Sequence, residues 1–364
     1  MSRALSFLMA GGGTGGHVVP LVAVAREMRR RGHRPWFVGT RQGLEARLVP
    51  AEGFDIEWIE IGALNRVGVG RALRTLGQLP ASVAHVLGIL RTRRPAAAFS
   101  MGGYAAGPVM LAAWLRGVPM VLMEPNAVAG MTNRWMGRFV ARALVNFPQT
   151  ARQFPRGKTE LTGLPVREEF FSIAPKPRGD VLTLLVTGGS QGSRRLNQAA
   201  RGSWPLFRGS GLKVRLLHQS GPQEHAALAS EFSSSGLAGE VVPFIQDMPG
   251  AFAEADLVVA RSGAGAVSEL TAAGKPSILV PFPFAADQHQ LRNAEALAEA
   301  GAARVVADAE MTGQRLFEEA RALDSQAGGL ERMGRAARSL ARPGAAARTA
   351  DILEELAGKA ERAT

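Results

Sequence analysis

The sequence predicts an α/β protein made of two Rossmann-like, doubly wound domains facing each other across a cleft. Three observations carry that expectation. Two glycine-rich turns, GGGTGG at Gly11–Gly16 and GGSQGS at Gly188–Ser193, each follow a short apolar run and precede an amphipathic stretch. Apolar runs alternate with helical patterns through both halves, which implies parallel sheets with ligands at the C-terminal strand ends. The chain of 364 residues also exceeds what one hydrophobic core usually serves. The expected division is a first domain at 1–163, a second at 164–340, and a helix at 341–364 packing back toward the first.

The elements follow in order. Ala4–Ala10 is an apolar run that leads straight into the first turn, as a buried first strand does and a secretory signal does not. A helix over Val18–Arg31 is stopped by Gly32, and strands follow at Pro35–Val38 and Ile56–Ile61. In Arg66–Arg94, Leu73, Leu76, Leu79, Val83, Val86 and Leu90 recur at helical spacing with arginines at both ends. That pattern suits a helix packed on its own sheet, and equally one seated in an anionic headgroup zone. Ala96–Ser100 is a strand ending in GGY, Gly107–Arg116 a helix and Val118–Met123 a buried strand. Gly163–Asp180 lacks periodicity and holds Pro165, Pro175 and Pro177, so it reads as the interdomain connection.

The second half repeats the theme. Strand Val181–Thr187, helix Leu196–Phe207, strand Lys213–His218 and helix Glu224–Ser233 come first, then strands at Glu240–Val242, Leu257–Ala260 and Ser277–Val280. The Ala/Arg/Glu-rich stretch Gly329–Leu356 reads as helical.

Composition narrows the function classes. Zero cysteines excludes disulfides, thiolate zinc sites and cysteine nucleophiles, and agrees with a reducing compartment. No apolar segment approaches the roughly 20 residues of a spanning helix. The net charge of +12 is uneven: residues 1–163 carry 21 Lys and Arg against 8 Asp and Glu. With only 6% aromatic residues and no stacking motif, nucleic acid is a poor partner for that basic half. An anionic phospholipid surface is a better one.

Polar residues at the expected strand ends are the candidates for chemistry. His17 closes the first turn, where an imidazole titrating near neutrality can act as a base or bond a sugar or phosphate oxygen. Thr14, Gly15 and Gly16 allow close approach of a ligand to the backbone. Tyr104, the only tyrosine, follows two glycines, and Glu124 and Asn126 lie just past another strand. Phe244 and Ile245 offer an aromatic face and a backbone amide to a base. Arg261–Glu269, RSGAGAVSE, is a third glycine turn whose Glu269 can accept two hydrogen bonds from a ribose diol. Asp287 and His289 invite a metal, but no further ligands stand at suitable spacing, so no metal site is expected. Phosphate charge is then met by the turns and by Arg167.

Taken together, GGGTGGH, SMGGYAAGP, EPNAVAGMTN, GLPVR, GGSQGS, VVPFIQDM, ARSGAGAVSE and NAEALAEAGAA occur in an order that resembles the MurG family of bacterial undecaprenyl-diphospho-muramoylpentapeptide N-acetylglucosaminyltransferases. The resemblance covers nearly the whole chain. It implies a GT-B fold and metal-free, inverting transfer of GlcNAc from UDP-GlcNAc to the MurNAc 4-hydroxyl of lipid I, giving lipid II without a cofactor. It also implies peripheral attachment to the cytoplasmic face of the cell membrane.

Carried over residue by residue, the donor contacts are Thr14, Gly15, Gly16, Asn126, Arg167, Ser190, Gln191, Phe244, Ile245, Ala264, Gly265, Ala266, Val267, Ser268, Glu269 and Gln290. Glu269 would hold the ribose, the Ile245 backbone the uracil, and Ser190 with its turn the diphosphate. His17 leads as the group that activates the acceptor hydroxyl or orients the transferred sugar, with Glu124 and Tyr104 as rivals. The chain departs from the family pattern at Pro125, Leu164 and Ala266. Other readings of the same architecture are a nucleotide-sugar epimerase and a non-catalytic UDP-sugar-binding membrane adaptor.

Overall fold

The computed structural model describes residues 4–13, 15–62 and 69–363. The chain forms two compact units, Met1–Val166 with Gly344–Thr364, and Arg167–Pro343.

In the first unit, β1 (Ser6–Gly11), β2 (Arg34–Gly39), β3 (Ile56–Trp58), β4 (Ala97–Gly102), β5 (Met120–Glu124), β6 (Arg142–Val145) and β7 (Thr159–Leu161) form one sheet in the order β3-β2-β1-β4-β5-β6-β7. Every pairing is parallel. Helices α1 (Gly15–Arg30), α2 (Glu45–Ala51), α3 (Val69–Arg93), α4 (Ala106–Leu115) and α5 (Met131–Met136) connect the strands. Because helices cover both faces, the central strands are continuous apolar runs, and β4 and β5 are buried at every residue.

The second unit repeats the plan. β8 (Leu182–Thr187), β9 (Val214–Gln219), β10 (Ala238–Val242), β11 (Leu257–Ala260), β12 (Ser277–Leu279) and β13 (Ala303–Val305) pair in parallel in the order β10-β9-β8-β11-β12-β13. Its helices are α6 (Arg194–Gly209), α7 (His225–Ser233), α8 (Met248–Glu254), α9 (Ala264–Ala273), α10 (His289–Glu299), α11 (Gly313–Ser325) and α12 (Gly329–Ser339). In both sheets the strand order reverses beside the first strand, and such a reversal opens a crevice at the C-terminal strand ends. Each glycine-rich turn leaves the sheet at such a point.

The first unit extends through Val166, beyond the expected boundary at Gly163. The N–H groups of Thr162 and Gly163 both donate to the Val145 carbonyl, and Leu164 is buried, so this stretch is tied to the first sheet. The helix expected over Gly329–Leu356 is two helices. Pro343 and Gly344, the latter at φ +75°, break it into α12 and α13 (Ala345–Ala363). α13 belongs to the first unit, where Arg31 pairs with Asp351 at 2.6 Å and Glu354 at 2.8 Å, and Arg348 pairs with Glu160 at 2.6 Å.

The two alternatives for Arg66–Arg94 separate here. Val83, Val86 and Leu90 are buried in the core of the first unit, with Leu79 packed against it. From Leu79 to Leu90 that face of α3 therefore packs into the core of its own unit. Arg66 and the side chains of Leu73 and Leu76 lie outside the described residues.

Candidate functional site

In the first unit the reversal between β1 and β4 brings GGGTGGH and MGGY together. Gly11 is paired with Gly102, and a Cβ on Gly103 (φ +85°) would stand 2.8 Å from the Gly12 carbonyl oxygen. Only glycine admits so close a crossing. Thr14 lies outside the described residues. Gly15, Gly16 and half-buried His17 form the first turn of α1, which carries no acidic side chain to occupy its N-terminal N–H groups.

A buried carboxylate that sequence reasoning passed over, Glu45, holds this turn. Its Oε2 accepts the Gly13 N–H at 2.9 Å, and its Oε1 accepts the Thr40 N–H at 3.0 Å and the Thr40 hydroxyl at 2.9 Å. Tyr104 joins the network through its hydroxyl, 3.0 Å from Thr40 Oγ1, and its ring lies over Gly13. Tyr104 therefore walls the turn, its hydroxyl directed at Thr40. The only signal for Glu45 in the sequence was a charged residue beside Gly43, at a helix start that periodicity does not reveal.

Glu124, at the end of β5, is buried, and burial raises its carboxyl above the ordinary range. Its Oε1 accepts from the backbone N–H of Asn126 at 3.0 Å and from the Asn126 amide at 3.2 Å. Its Oε2 accepts from the Gly130 N–H at 3.0 Å and the Asn133 amide at 2.9 Å. Four N–H donors thus surround it, and their arrangement sets the loop that presents half-buried Asn126. Both Glu124 oxygens thus serve the loop.

In the second unit the reversal falls between β8 and β11. It sets the Gly188–Ser193 turn beside RSGAGAVSE, two segments far apart in sequence. Ser190 and Gln191 are exposed at the tip. Arg261 joins the turns: it donates to Ser193 Oγ at 2.8 Å and to the Val280 carbonyl at 3.0 Å, and pairs with Asp308 at 2.6 Å. Gly192, at φ +75°, lies so close to Ser220 that any Cβ would meet its carbonyl oxygen.

Helix α9 begins at Ala264 behind Gly263, with no side-chain cap and no acidic residue in its first turn. The N–H groups of its first turn and its positive dipole end suit a phosphate. Ala264, Gly265, Ala266, Val267 and Ser268 make up this end. Ala266 is only partly buried, whereas Ala264, Val267 and Ser268 are buried. Glu269 stands in the second turn, beyond the reach of the dipole effect. Desolvation pushes its carboxyl up to about 7, opposed by the Arg167 guanidinium nearby. Arg167 is exposed, its guanidinium 5.0 Å over the Phe170 ring. Gln290 Oε1 accepts the Phe282 N–H at 2.9 Å, and its Nε2 lies toward Gly263.

Phe244 is exposed and Ile245 half-buried in the loop after β10. One detail departs from expectation. The Ile245 N–H, expected to be open to a base, donates to Gln219 Oε1 at 2.9 Å. The backbone group left open there is the carbonyl. Among the described residues no cluster of His, Asp and Glu is arranged to hold a metal ion. Asp287 lies at φ +48° in an exposed bend, and His289 Nδ1 is 2.7 Å from the Ala286 carbonyl oxygen.

Comparison with known proteins finds two family matches in succession along the chain. The glycosyltransferase family 28 N-terminal domain matches residues 7–145 and the family 28 C-terminal domain residues 183–356. A Solibacter usitatus protein named UDP-N-acetylglucosamine–N-acetylmuramyl-(pentapeptide) pyrophosphoryl-undecaprenol N-acetylglucosamine transferase is 64% identical, over 98% of this chain and 97% of its own length. A protein of the same name from Anaeromyxobacter dehalogenans is 42% identical over 97% of this chain and 93% of its length. Among solved structures, MurG of Acinetobacter baumannii has a TM-score of 0.81 at 31% identity, covering 97% of this chain and all of that one.

Proposed function

The chain belongs to glycosyltransferase family 28, and from that membership we infer that it transfers N-acetylglucosamine from UDP-N-acetylglucosamine to lipid I, forming lipid II for peptidoglycan. The observation that carries this is the 64% identity to a transferase of that name across both units. An epimerase shares the architecture, but the 64% identity is to a transferase. The adaptor alternative keeps the donor residues but gives His17 no task.

In the reaction we propose, the acceptor hydroxyl attacks the anomeric carbon as the bond from that carbon to the diphosphate oxygen breaks. His17 takes the hydroxyl proton. The departing negative charge is met by the Gly188–Ser193 turn, the N-terminus of α9 and Arg167. Glu269 holds the ribose, and Phe244 with Ile245 the uracil. Glu124, Tyr104 and Glu45 position Asn126 and the first turn. No metal is assigned a part in this scheme.

The test is incubation with UDP-GlcNAc and a soluble lipid I analogue in the presence of EDTA. Disaccharide product and free UDP are expected. Epimerised UDP-sugar without acceptor, or tight binding without turnover, overturns the transferase reading; a strict divalent-cation requirement overturns the metal-free scheme.

No helix among the described residues is long and apolar enough to cross a membrane. We propose that the first unit instead meets an anionic phospholipid surface through an exposed patch at the end of α4 and around α5. Trp114 and Phe139 stack with centroids 4.8 Å apart, Leu115 and Trp135 are exposed, and the Arg138 guanidinium lies 5.6 Å from the Trp135 ring centroid. Arg116, Arg134 and Arg142 are exposed around them. Aromatic side chains flanked by arginines suit the headgroup zone. Replacing Trp114 and Phe139 together by serine is expected to lower binding to phosphatidylglycerol-containing vesicles about tenfold. Unchanged sedimentation with vesicles would remove this patch from the reading.

A further inference from the structure

We propose that Gln219 is a positioning residue that couples recognition of the nucleobase to the geometry of the diphosphate-binding turn. The inference rests on the donor reading above and assigns a task to a residue that reading leaves unused. Gln219 ends β9, opposite Thr187 in register, and its side chain is 1% exposed. Its Nε2 donates to Thr187 Oγ1 at 3.1 Å and to the Gly189 carbonyl at 2.8 Å, both at the start of the Gly188–Ser193 turn. Thr187 Oγ1 also accepts the Gly189 N–H at 3.2 Å. The other end of the same amide, Oε1, accepts the Ile245 N–H. One planar group therefore spans two ligand-facing loops.

Its orientation is dictated by its surroundings. Gly189 presents a carbonyl, which only the NH2 end can approach, and Ile245 presents an N–H, which only the oxygen can accept. The arrangement in turn fixes the Ile245 peptide plane. With its N–H held by Gln219, the edge that Ile245 offers a base is a carbonyl, to which no described residue donates. A carbonyl there accepts from the N3–H of uracil and opposes cytosine, whose N3 is itself an acceptor. Gln219 thus favours uridine over cytidine nucleotides without touching either, and it links that choice to the turn at Gly189.

Two variants of the full-length protein separate the halves of this device, with UDP, CDP and uridine binding measured by calorimetry and folding checked by circular dichroism. Gln219→Leu removes all three bonds and frees the Ile245 peptide to rotate. It is expected to weaken UDP roughly tenfold while CDP binding improves, so that the UDP-over-CDP preference falls by more than the loss of UDP affinity alone. Gln219→Glu keeps an acceptor for Ile245 but sets a carboxylate against the Gly189 carbonyl. It is expected to leave uridine within about threefold of wild type and to weaken UDP roughly tenfold. In turnover assays the Leu variant should show its loss in KM for UDP-GlcNAc rather than in kcat.

A simple structural role would lower all three ligands together and could not improve CDP. An unchanged UDP-over-CDP ratio in Gln219→Leu, or equal loss of uridine and UDP in Gln219→Glu, overturns the proposal. If Gln219→Leu does not fold, Gln219→Met carries the same test. A wild-type protein that binds UDP no better than CDP is a separate result: it overturns the donor reading itself, and the proposal with it.

Discussion

Replacing Glu269 by alanine is expected to weaken UDP-GlcNAc binding by about 100-fold or more, with kcat at saturating donor reduced far less. A carboxylate bonded to both hydroxyls of a ribose makes two charge-assisted hydrogen bonds, each worth about 1.5–3 kcal/mol. The effect carries a pH signature. Desolvation holds the Glu269 carboxyl protonated until about pH 7, against the pull of Arg167, and only the ionised form accepts from both hydroxyls. Donor affinity should therefore rise as pH increases through 7. At pH 6 about a tenth of the protein is competent, so the apparent Kd should be about tenfold weaker than at pH 8.

The same shift sets the sign of a stability effect. The folded chain keeps the Glu269 proton up to about 7, whereas the unfolded chain releases it near 4.5. The folded state binds more protons between those values, so stability falls as pH rises through that window, by up to about 3 kcal/mol. Glu269→Gln should remove both trends, melting higher than wild type at pH 8 while binding donor more weakly. Donor affinity independent of pH between 6 and 8 in the wild type would contradict this account.

The second large effect concerns His17. Its alanine variant is expected to lose about 10²- to 10⁴-fold in kcat, the usual contribution of a positioned general base, while KM for UDP-GlcNAc changes little. Turnover within about threefold of wild type would remove His17 from the mechanism. Glu124 and Tyr104, whose polar atoms are engaged with their own loops, should respond differently. Their substitution disturbs the presentation of Asn126 and of the first turn, and with it binding as well as rate.

These two effects also bear on how the two glycine turns divide the work. Both leave a parallel sheet at the same topological position. The second lies beside α9 and Glu269 in the unit that holds the donor candidates, whereas the first ends in His17 in the basic unit. In the proposed reaction, similar folds thus carry unlike tasks. The difference comes from the side chains that follow each turn, not from the turns themselves.

Much of this was legible in the sequence because it is written locally. A buried parallel strand needs a continuous apolar run, a tight exit needs glycine, and the following helix needs a repeating apolar face; all three occur within about 25 consecutive residues of each turn. His17, Asn126 and Glu269 stood out because they are polar residues immediately past such signals. The short strands β6, β7 and β13 were missed, and Arg142, Glu160 and Arg304 break the apolar run in each. The Arg66–Arg94 segment was ambiguous for a related reason: an apolar helical face reads the same whether a sheet or a lipid surface covers it.

By itself, then, the sequence determined the doubly wound architecture, the ligand-facing turns, and the family to which they belong. The tertiary structure alone decided which polar groups hold those turns in shape. Glu45 reaches Gly13, Gln219 joins Gly189 to Ile245, and Arg261 ties Ser193 to Val280 and Asp308. Each of these bonds joins residues brought together by strand order and register, and its strength depends on burial that only packing creates. Sequence spacing records neither quantity, so the chemistry of the turns could be read in advance while their support could not.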